Sequence, residues 1–223
     1  MKLTKNLAYI AGALRDGSVL RYKEKSGKMH YYTTVYNKDE KWLRELQKLF
    51  EKEFGIRPKL RKQKNRASYI RTYNKSVAKY FEENFEHPLK NQIGWKTPNL
   101  IRKCTSKKIL VNYIAGFWDA EGGFDIRTRQ IRFHLSAKGK KCLPLEDMKN
   151  FLEKFGIECG KVGRYKNERG VHPRFVLRVL KSSNKKFLNK IPLKSFIKKN
   201  KINKFAGISR KTAHLPRSTA PKI

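Results

Sequence analysis

The sequence predicts an α+β fold built from two tandem repeats, each with the element order αββαββα. Two pairs of similar segments support this prediction: YIAGALRDGS at residues 9–18 returns as YIAGFWDAEGG at residues 113–123, and LFEKEFGI at residues 49–56 returns as FLEKFGI at residues 151–157. The residues that follow each copy alternate between apolar and polar side chains with the two-residue period of a β-strand. The chain is therefore interpreted as a tandem duplication with small insertions.

The elements of the first repeat follow from apolar periodicity and from the residues that begin and end helices. A first helix is predicted over residues 5–14 and a third over residues 75–85. Between them, Asp39 caps a second helix that Gly55 ends. The Ser26-Gly27 turn joins the first two strands. The four predicted strands cover residues 18–24, 29–36, 59–64 and 68–73.

The second repeat is predicted to have the same order, with helices over residues 107–120, 143–155 and 183–190. Pro88, Gly94 and Pro98 indicate a linker between the repeats. The predicted domains are a first repeat at residues 1–85, a linker at 86–108, a second repeat at 109–205 and a basic tail at 206–223. The Lys-rich stretch from residue 193 onward is expected to fray into this disordered tail.

Composition indicates a polyanionic partner. The chain has 54 Lys+Arg against 18 Asp+Glu, and its formal net charge is +36, yet 39% of its residues are hydrophobic, enough to build a core. Such a charge is typical of a nucleic-acid-binding protein, and an anionic membrane surface is the weaker alternative. No apolar run approaches the roughly 18 residues of a spanning helix, and residues 1–20 lack a signal-peptide pattern, so an intracellular location is expected. The three cysteines fit neither a disulfide framework nor a zinc site, and we expect reduced thiols.

One face of each predicted sheet is rich in basic and hydroxyl-bearing aromatic side chains. In the second repeat, Phe124, Ile126 and Phe133 alternate with charged residues, and Phe175 and Leu177 do the same. Arg, Lys, His and Tyr are residue types that bond phosphate oxygens and, for Arg, guanine edges. The alternative is a solvated outer face of a very basic protein. The predicted nucleic-acid contacts are Arg21, Lys23, Lys25, His30, Tyr32, Thr34, Arg61, Tyr69, Arg71, Asp125, Arg127, Arg129, Arg132, His134, Arg164, Lys166, Arg174 and Arg178.

Each YIAG segment leads to an acid, Asp16 in the first and Glu121 in the second. The small residues at 11–12 and 115–116 allow two helices to approach closely, so the repeats are expected to pack helix against helix about a pseudo-two-fold axis. Two carboxylates at adjacent helix C-termini repel each other and face the negative ends of the helix dipoles. A divalent cation resolves this conflict, and magnesium suits such oxygen ligands.

The two segments resemble the paired motifs of the LAGLIDADG homing endonucleases, in the intron-encoded, single-chain form that carries both motifs. IAGFWDAEG at residues 114–122 matches the nine-residue motif position for position, with Glu121 at the place of the metal-binding acid. IAGALRDG at residues 10–17 has one residue fewer between its glycine and its acid. Alignment on Asp16 places Ala11 opposite Gly116. The resemblance spans residues 4–205.

This resemblance implies a monomer of two αββαββα halves, each with an antiparallel, saddle-shaped sheet over the major groove of double-stranded DNA. The two motif helices pack together, and active sites beneath the minor groove each cut one strand to leave short 3′ overhangs. The implied cofactor is Mg²⁺; Mn²⁺ or Ca²⁺ can substitute in binding, and Ca²⁺ is not expected to support cleavage. The implied metal ligands are Asp16 and Glu121, with the backbone carbonyls of Arg15 and Ala120 near Gly17 and Gly122.

The family also has a polar residue and a lysine after the second strand of each half. In this chain they correspond to Asn37-Lys38 and to Ala137-Lys138. Lys38 and Lys138 are expected to stabilise developing phosphate charge or to hold the attacking water. The alternative is that they are two ordinary lysines among many. Of the other acids, Asp119 is expected to face the helix surface or an adjacent backbone amide, and Asp125 to lie on the DNA-facing sheet.

Two other functions are compatible with parts of the sequence. A maturase that assists intron RNA splicing, or a regulator on the same fold, would bind nucleic acid without cutting it, but would not need two acids at that desolvation cost. A ribosomal-type basic protein explains the charge but not two acids at duplicated positions. The sequence therefore favours a metal-dependent endonuclease.

Overall fold

A computed structural model of the protein describes residues 2–89, 95–166 and 172–206, with the side chains of Asp16 and Ala206 excepted. The first half contains helices α1 (Lys5–Ala13), α2 (Glu40–Phe54) and α3 (Lys75–Phe85) and strands β1 (Gly17–Lys23), β2 (Met29–Asn37), β3 (Lys59–Arg61) and β4 (Ser68–Thr72). After α4 (Asn99–Arg102), the second half contains α5 (Lys107–Glu121), α6 (Leu143–Lys154) and α7 (Asn184–Lys190) and strands β5 (Gly122–Asp125), β6 (Gln130–Ser136), β7 (Gly163–Tyr165) and β8 (Arg174–Arg178). A last helix, α8, covers Phe196–Ala206. The predicted duplication and the αββαββα order of both halves are confirmed.

Each half contains one four-stranded antiparallel sheet. The strand orders are β1-β2-β4-β3 and β5-β6-β8-β7, so the two sheets have the same topology. The first residue of each sheet is the glycine that follows the motif acid: Gly17 pairs with Val35, and Gly122 pairs with Phe133. This shared register makes the two sheets comparable residue by residue.

The two halves meet along α1 and α5, which form the most extensive contact between any two elements. A side chain on either helix glycine would collide with the other helix: a Cβ on Gly12 would lie 2.3 Å from the Tyr113 carbonyl oxygen, and one on Gly116 would lie 2.0 Å from the Tyr9 carbonyl oxygen. Apolar side chains from both halves form one buried cluster around this pair. The helix pair therefore fixes how the halves sit on each other.

Local signals in the sequence act as expected in α2. The Asp39 carboxylate accepts a hydrogen bond of 3.1 Å from the Trp42 amide, which otherwise has no partner in the first helical turn. Gly55 ends the helix with a φ of +66°, a conformation that costs glycine little. Both predictions are confirmed.

The segment after residue 193, expected to fray, is ordered as far as α8 extends. The Ser195 hydroxyl donates a 2.8 Å hydrogen bond to the Asp39 carboxylate, and Ile202 is completely buried. These contacts lie far apart along the chain, so composition alone could not reveal them. Residues 207–223, most of the predicted tail, lie outside the described residues. The linker also contains structure, the short helix α4.

No helix in the described ranges is long and apolar enough to cross a membrane. The thiols of Cys104, Cys142 and Cys159 are all free, as predicted.

Candidate active site and nucleic-acid interface

The two motif helices end differently. Helix α5 remains α-helical as far as Glu121, whereas α1 stops at Ala13 and continues as a 3₁₀ turn over Leu14–Asp16. The rise along the helix axis is about 2.0 Å for each 3₁₀ residue and about 1.5 Å for each α residue. One α residue and three 3₁₀ residues follow Gly12, and five α residues follow Gly116, so both acids lie about 7.5 Å along the axis from their glycine. The 3₁₀ turn thus compensates for the residue missing from the first motif.

The contact between the motif helices differs from the predicted alignment. Gly12, rather than Ala11, lies against the Gly116 segment, because the atoms nearest to a Cβ at Gly12 would be the Tyr113 carbonyl oxygen and the Phe117 amide nitrogen. The prediction was wrong because it aligned the motifs on their acids. The two glycines pack against each other, and the difference in motif length is compensated by the 3₁₀ turn between Gly12 and Asp16.

Arg15, the residue before Asp16, anchors the 3₁₀ turn to the linker. Its side chain is 7% exposed, and its Nη1 donates hydrogen bonds of 2.7 and 3.3 Å to the carbonyls of Trp95 and Lys96. The guanidinium lies 4.2 Å from the Trp95 ring centroid and 5.3 Å from that of Phe117. Burial, with a contribution from Arg15, lowers the pKa of His87 to about 3, so this histidine beside Trp95 is neutral.

Lys198 of α8 caps the C-terminal end of α5. Its Nζ donates hydrogen bonds of 3.2, 2.7 and 3.0 Å to the carbonyls of Trp118, Asp119 and Ala120, the three residues before Glu121. The Trp118 carbonyl also accepts a hydrogen bond from the Gly122 amide, so Lys198 is its second donor, and the ammonium complements the negative end of the helix dipole. The sequence analysis missed Lys198 because it lies among many lysines in a segment expected to fray.

Asp119 braces the interface between the halves. It is completely buried, and its carboxylate accepts hydrogen bonds from the Tyr9 hydroxyl and, at 2.7 Å, from the Lys194 amide. The Trp42 indole donates to the same tyrosine oxygen at 2.7 Å. Burial raises the pKa of Asp119 to about 6. Of the two expected positions for Asp119, the helix surface and a backbone amide, the structure shows the second.

The predicted lysines lie after equivalent strands but not in equivalent register. Lys38 comes three residues after Val35, the partner of Gly17, whereas Lys138 comes five residues after Phe133, the partner of Gly122. Both side chains are exposed. The Asn37 side-chain oxygen accepts a 2.9 Å hydrogen bond from the Asp39 amide, so it also shapes the entry to α2.

The outer face of the first sheet carries only part of the predicted set. Directly opposed residues share a face, and the pairs Thr34–Arg71 and Arg61–Tyr69 place those residues, with His30 and Tyr32, on the side away from the core. Arg21 and Lys23 lie instead on the face of buried Val19, at the end of the strand beyond the core, and Lys25 lies in the turn. The prediction assigned the faces of β1 from its basic residues, whereas the burial of Val19 shows that Arg21 and Lys23 lie on the other face.

Arg71 is the centre of this first outer face. Its guanidinium donates hydrogen bonds of 2.8, 3.3 and 3.1 Å to the hydroxyls of Thr34, Tyr73 and Tyr36. Its Cζ also lies 4.8 Å from the ring centroid of Tyr32. The tyrosines therefore hold this arginine in one place without neutralising its charge.

The outer face of the second sheet carries Arg132, His134, Arg174 and Arg178, as predicted. Asp125 lies there too and forms an ion pair with Arg132. Burial, followed by nearby arginines, lowers the pKa of His134 to about 4.

Four other predicted contacts of this half lie off the sheet face. Ile126, Arg127 and Arg129 belong to the turn between β5 and β6, and Ile126 is exposed rather than buried because β5 ends at Asp125. Arg164 pairs with buried Phe175, so it lies on the core side, with Tyr165 on the outer face in its place. Lys166 is exposed just after β7.

The site suits a hard divalent cation. Within the described ranges no three His, Cys, Asp or Glu side chains cluster as metal ligands. The predicted site does not need such a cluster, because it takes one carboxylate from each half. Carboxylate and carbonyl oxygens are the ligands that Mg²⁺ prefers. The Ala120 carbonyl accepts a hydrogen bond from Lys198, which engages one of its two lone pairs.

Known proteins share this architecture over most of the chain. A homing endonuclease of Aeropyrum pernix, I-ApeI, is 28% identical over 206 residues, which cover 90% of this chain and 87% of that protein. The structure of I-DmoI in complex with DNA and Mn superposes with a TM-score of 0.64 at 19% identity, covering 85% of this chain and 97% of that one. The homing endonuclease I-WcaI bound to its DNA recognition sequence gives a TM-score of 0.54 at 20% identity, covering 91% and 88%.

The family model described as LAGLIDADG-like domain matches residues 5–86 and 108–192, one match in each half. Each matched range contains a motif helix, lacking only the first residue of α5 in the second range, and the whole of the sheet that follows it. The chain therefore belongs to the family of proteins with a LAGLIDADG-like domain.

Proposed function

We propose that this protein is a site-specific endonuclease that cuts both strands of a long, pseudo-palindromic DNA target by divalent-metal-dependent hydrolysis and leaves short 3′ overhangs. One observation carries the proposal: the motif helices pack glycine against glycine, and each leads to an acid, through a 3₁₀ turn in the first half and directly in the second. The similarity to I-ApeI, a homing endonuclease, supports the same activity. Two motifs in one chain support a monomer.

Asp16 and Glu121 are the proposed metal-binding acids, one from each half. A divalent cation held there, Mg²⁺ in the first instance, would polarise the scissile phosphate and lower the pKa of a bound water. The chain's own contribution is to bring the acids together through the helix contact and to hold both helix ends rigid. Arg15 does this for the first half and Lys198 for the second.

Three basic groups are proposed to act on the phosphate, Lys198 through its charge and the other two through direct contact. Lys198 brings a positive charge next to Glu121, held by three carbonyls and therefore already oriented before DNA binds. Lys38 and Lys138 remain proposed as phosphate-stabilising or water-holding groups, and Asn37 as their polar neighbour in the first half. Because their registers differ, the two lysines are expected to act at unequal distances from their respective acids.

The outer faces of the two sheets are the proposed DNA-binding surface. Their arginines, tyrosines and histidines bond phosphates and base edges, and the net charge of +36 attracts the duplex at long range. Arg21, Lys23, Arg164 and the turn arginines are then expected to contact the backbone at the margins, because they do not lie on these faces.

The test is cleavage of a randomised duplex library in Mg²⁺, with an EDTA control and sequencing of the ends. Metal-dependent double-strand breaks at one long site are expected. The Glu121→Gln and Asp16→Asn variants should bind that site without cutting it, and Glu83→Gln, at an exposed acid of α3, is the matched control. Tight binding without breaks under any metal would overturn the proposal in favour of a maturase or regulator, for which intron RNA is the next ligand to try.

A further inference from the structure

The shared register of the two sheets allows their outer faces to be compared position by position. Counted from the Gly17 and Gly122 pairs, Thr34 is equivalent to Arg132 and Tyr36 to His134. On the next strand, Tyr69 is equivalent to Val176 and Arg71 to Arg178. Only the last of these four pairs is alike. The two halves thus present different chemistry on the same geometry.

The face of the first sheet is an array of aromatic rings. Tyr22 stacks on His30 with centroids 5.0 Å apart, and Tyr22 meets Tyr32 edge-on at 6.1 Å. Tyr36 packs on Tyr69 at 5.3 Å. The central guanidinium, already described, gives three of its five N–H groups to hydroxyls of the same array. The other arginine on this face, Arg61, is exposed on the edge strand β3, so the centre of the face offers rings and hydroxyls rather than free guanidinium groups.

The face of the second sheet carries three arginines. Arg132 is occupied by Asp125 and by a 3.0 Å hydrogen bond to the Thr128 hydroxyl. Arg178 lies beside Tyr165, with its Cζ 5.2 Å from the ring centroid, and Arg174 is exposed. His134, which is neutral, lies on β6 between Arg132 and Ser136, whose cross-strand neighbours on β8 are Arg178 and Arg174. Arg174 and Arg178 are therefore the side chains with forks available for base edges.

We infer that the two halves of the DNA target differ in base composition: the half under the second sheet is rich in guanine, and the half under the first sheet is rich in A·T pairs. An arginine fork fits the O6 and N7 atoms of guanine, whereas apolar and aromatic groups favour the thymine methyl group. The target is then pseudo-palindromic in the spacing of its contacts but not in its sequence. This inference rests on the proposed function, because it assumes that the outer faces read DNA.

The experiment selects bound duplexes from a randomised library in Ca²⁺ and, separately, sequences the ends cut in Mg²⁺. Guanine, on either strand, should be concentrated in one half of the selected site and depleted in the other. Arg178→Lys keeps the charge but loses the fork, so it should reduce discrimination for guanine about 5- to 150-fold at one position of the guanine-rich half only. Arg174→Lys should do the same at a second position in that half.

Arg71→Lys is the matched variant in the first half. This variant should weaken binding to all target sequences by a similar factor and leave the preference for guanine unchanged. The contacts that it loses should lie in the A·T-rich half of the site. Equal guanine content in the two halves, or a uniform weakening by both Arg178→Lys and Arg174→Lys, would overturn the inference even if the protein cuts. Sequence-selective binding without cutting would overturn the proposed cleavage and leave the inference standing.

Discussion

Replacement of Gly116 by alanine tests whether the helix contact sets both stability and catalysis. A Cβ at this position would lie 2.0 Å from the Tyr9 carbonyl oxygen, 2.9 Å from the Tyr9 carbonyl carbon and 3.0 Å from the Ala13 nitrogen. All three neighbours are backbone atoms of α1, so no side chain can rotate away. To reach 3.4 Å, the lower edge of ordinary contact, α1 must move by about 1.4 Å.

The expected cost follows from two opposing effects. Overpacking typically costs 1–3 kcal/mol, and a rigid backbone contact belongs near the upper end of about 3 kcal/mol. Alanine in a helix is better than glycine by about 1 kcal/mol, which offsets part of this. The net loss is about 2 kcal/mol, which lowers the Tm of a chain of this size by about 4–8 °C.

Thermal unfolding and cleavage should be measured together. The shift of α1 also moves Asp16 relative to Glu121, so the cleavage rate is expected to fall further than DNA affinity. Gly12→Ala, with a Cβ 2.3 Å from the Tyr113 carbonyl oxygen, should behave alike. Gly160→Ala is the control, because the nearest atom to its Cβ, the Arg178 carbonyl oxygen, is 3.9 Å away. A Gly116→Ala protein with unchanged Tm and full cleavage would refute the argument.

Three further predictions concern groups at the ends of the motif helices and the charge of the whole chain. Lys198→Met should lower the free energy of unfolding by about 1.5–3 kcal/mol, and it should reduce the cleavage rate more than the DNA affinity. Lys199→Met, at the exposed neighbouring residue, should change neither. Equal effects of the two variants in denaturant titrations and cleavage assays would contradict the capping role of Lys198. Because the folded pKa of Asp119 is raised from 3.8 to about 6, the stability associated with its protonated form is present below about pH 4 and is lost as pH rises through 6. Relative to Asp119→Asn, the wild type should therefore lose about 2 kcal/mol between pH 4 and pH 6.5 in denaturant titrations, and parallel pH curves would show that Asp119 does not titrate there. DNA affinity should fall about 10³- to 10⁵-fold between 50 and 200 mM salt in a binding titration if six to ten phosphates are contacted, and a shallow slope would count against a backbone-tracking interface.

The parts of the fold that could be predicted from the sequence are those that local chemistry decides. Asp39 and Gly55 mark the two ends of α2 because a cap and a left-handed residue act within one helical turn. The phase of β1 is not decided in this way, because Val19 and Leu20 are adjacent apolar residues on opposite faces, and only the assembled sheet shows that Val19 is the buried one.

The rest depends on contacts between residues distant along the chain. Lys198 follows the carbonyls it caps by nearly eighty residues, and no pattern around it distinguishes it from other lysines. Ser195 is linked to Asp39 in the other half of the protein, which is why a segment with the composition of a tail is ordered. Such pairs become visible only once the halves are assembled.

The two halves connect the helix contact to their acids by different means. In the second half, α5 keeps its α-helical form to the acid, and a lysine from another element satisfies the carbonyls at its end. In the first half, one residue is missing, the last turn tightens to 3₁₀, and Arg15 secures that turn to the linker with two hydrogen bonds and an aromatic ring on the guanidinium. A tighter turn has poorer hydrogen-bond geometry than an α-helix, so the first acid depends more on its anchor than the second does. Since one chain carries both copies, the sequence of each half can change separately. The outer faces of the two sheets are also unlike, although their strands pair in the same register.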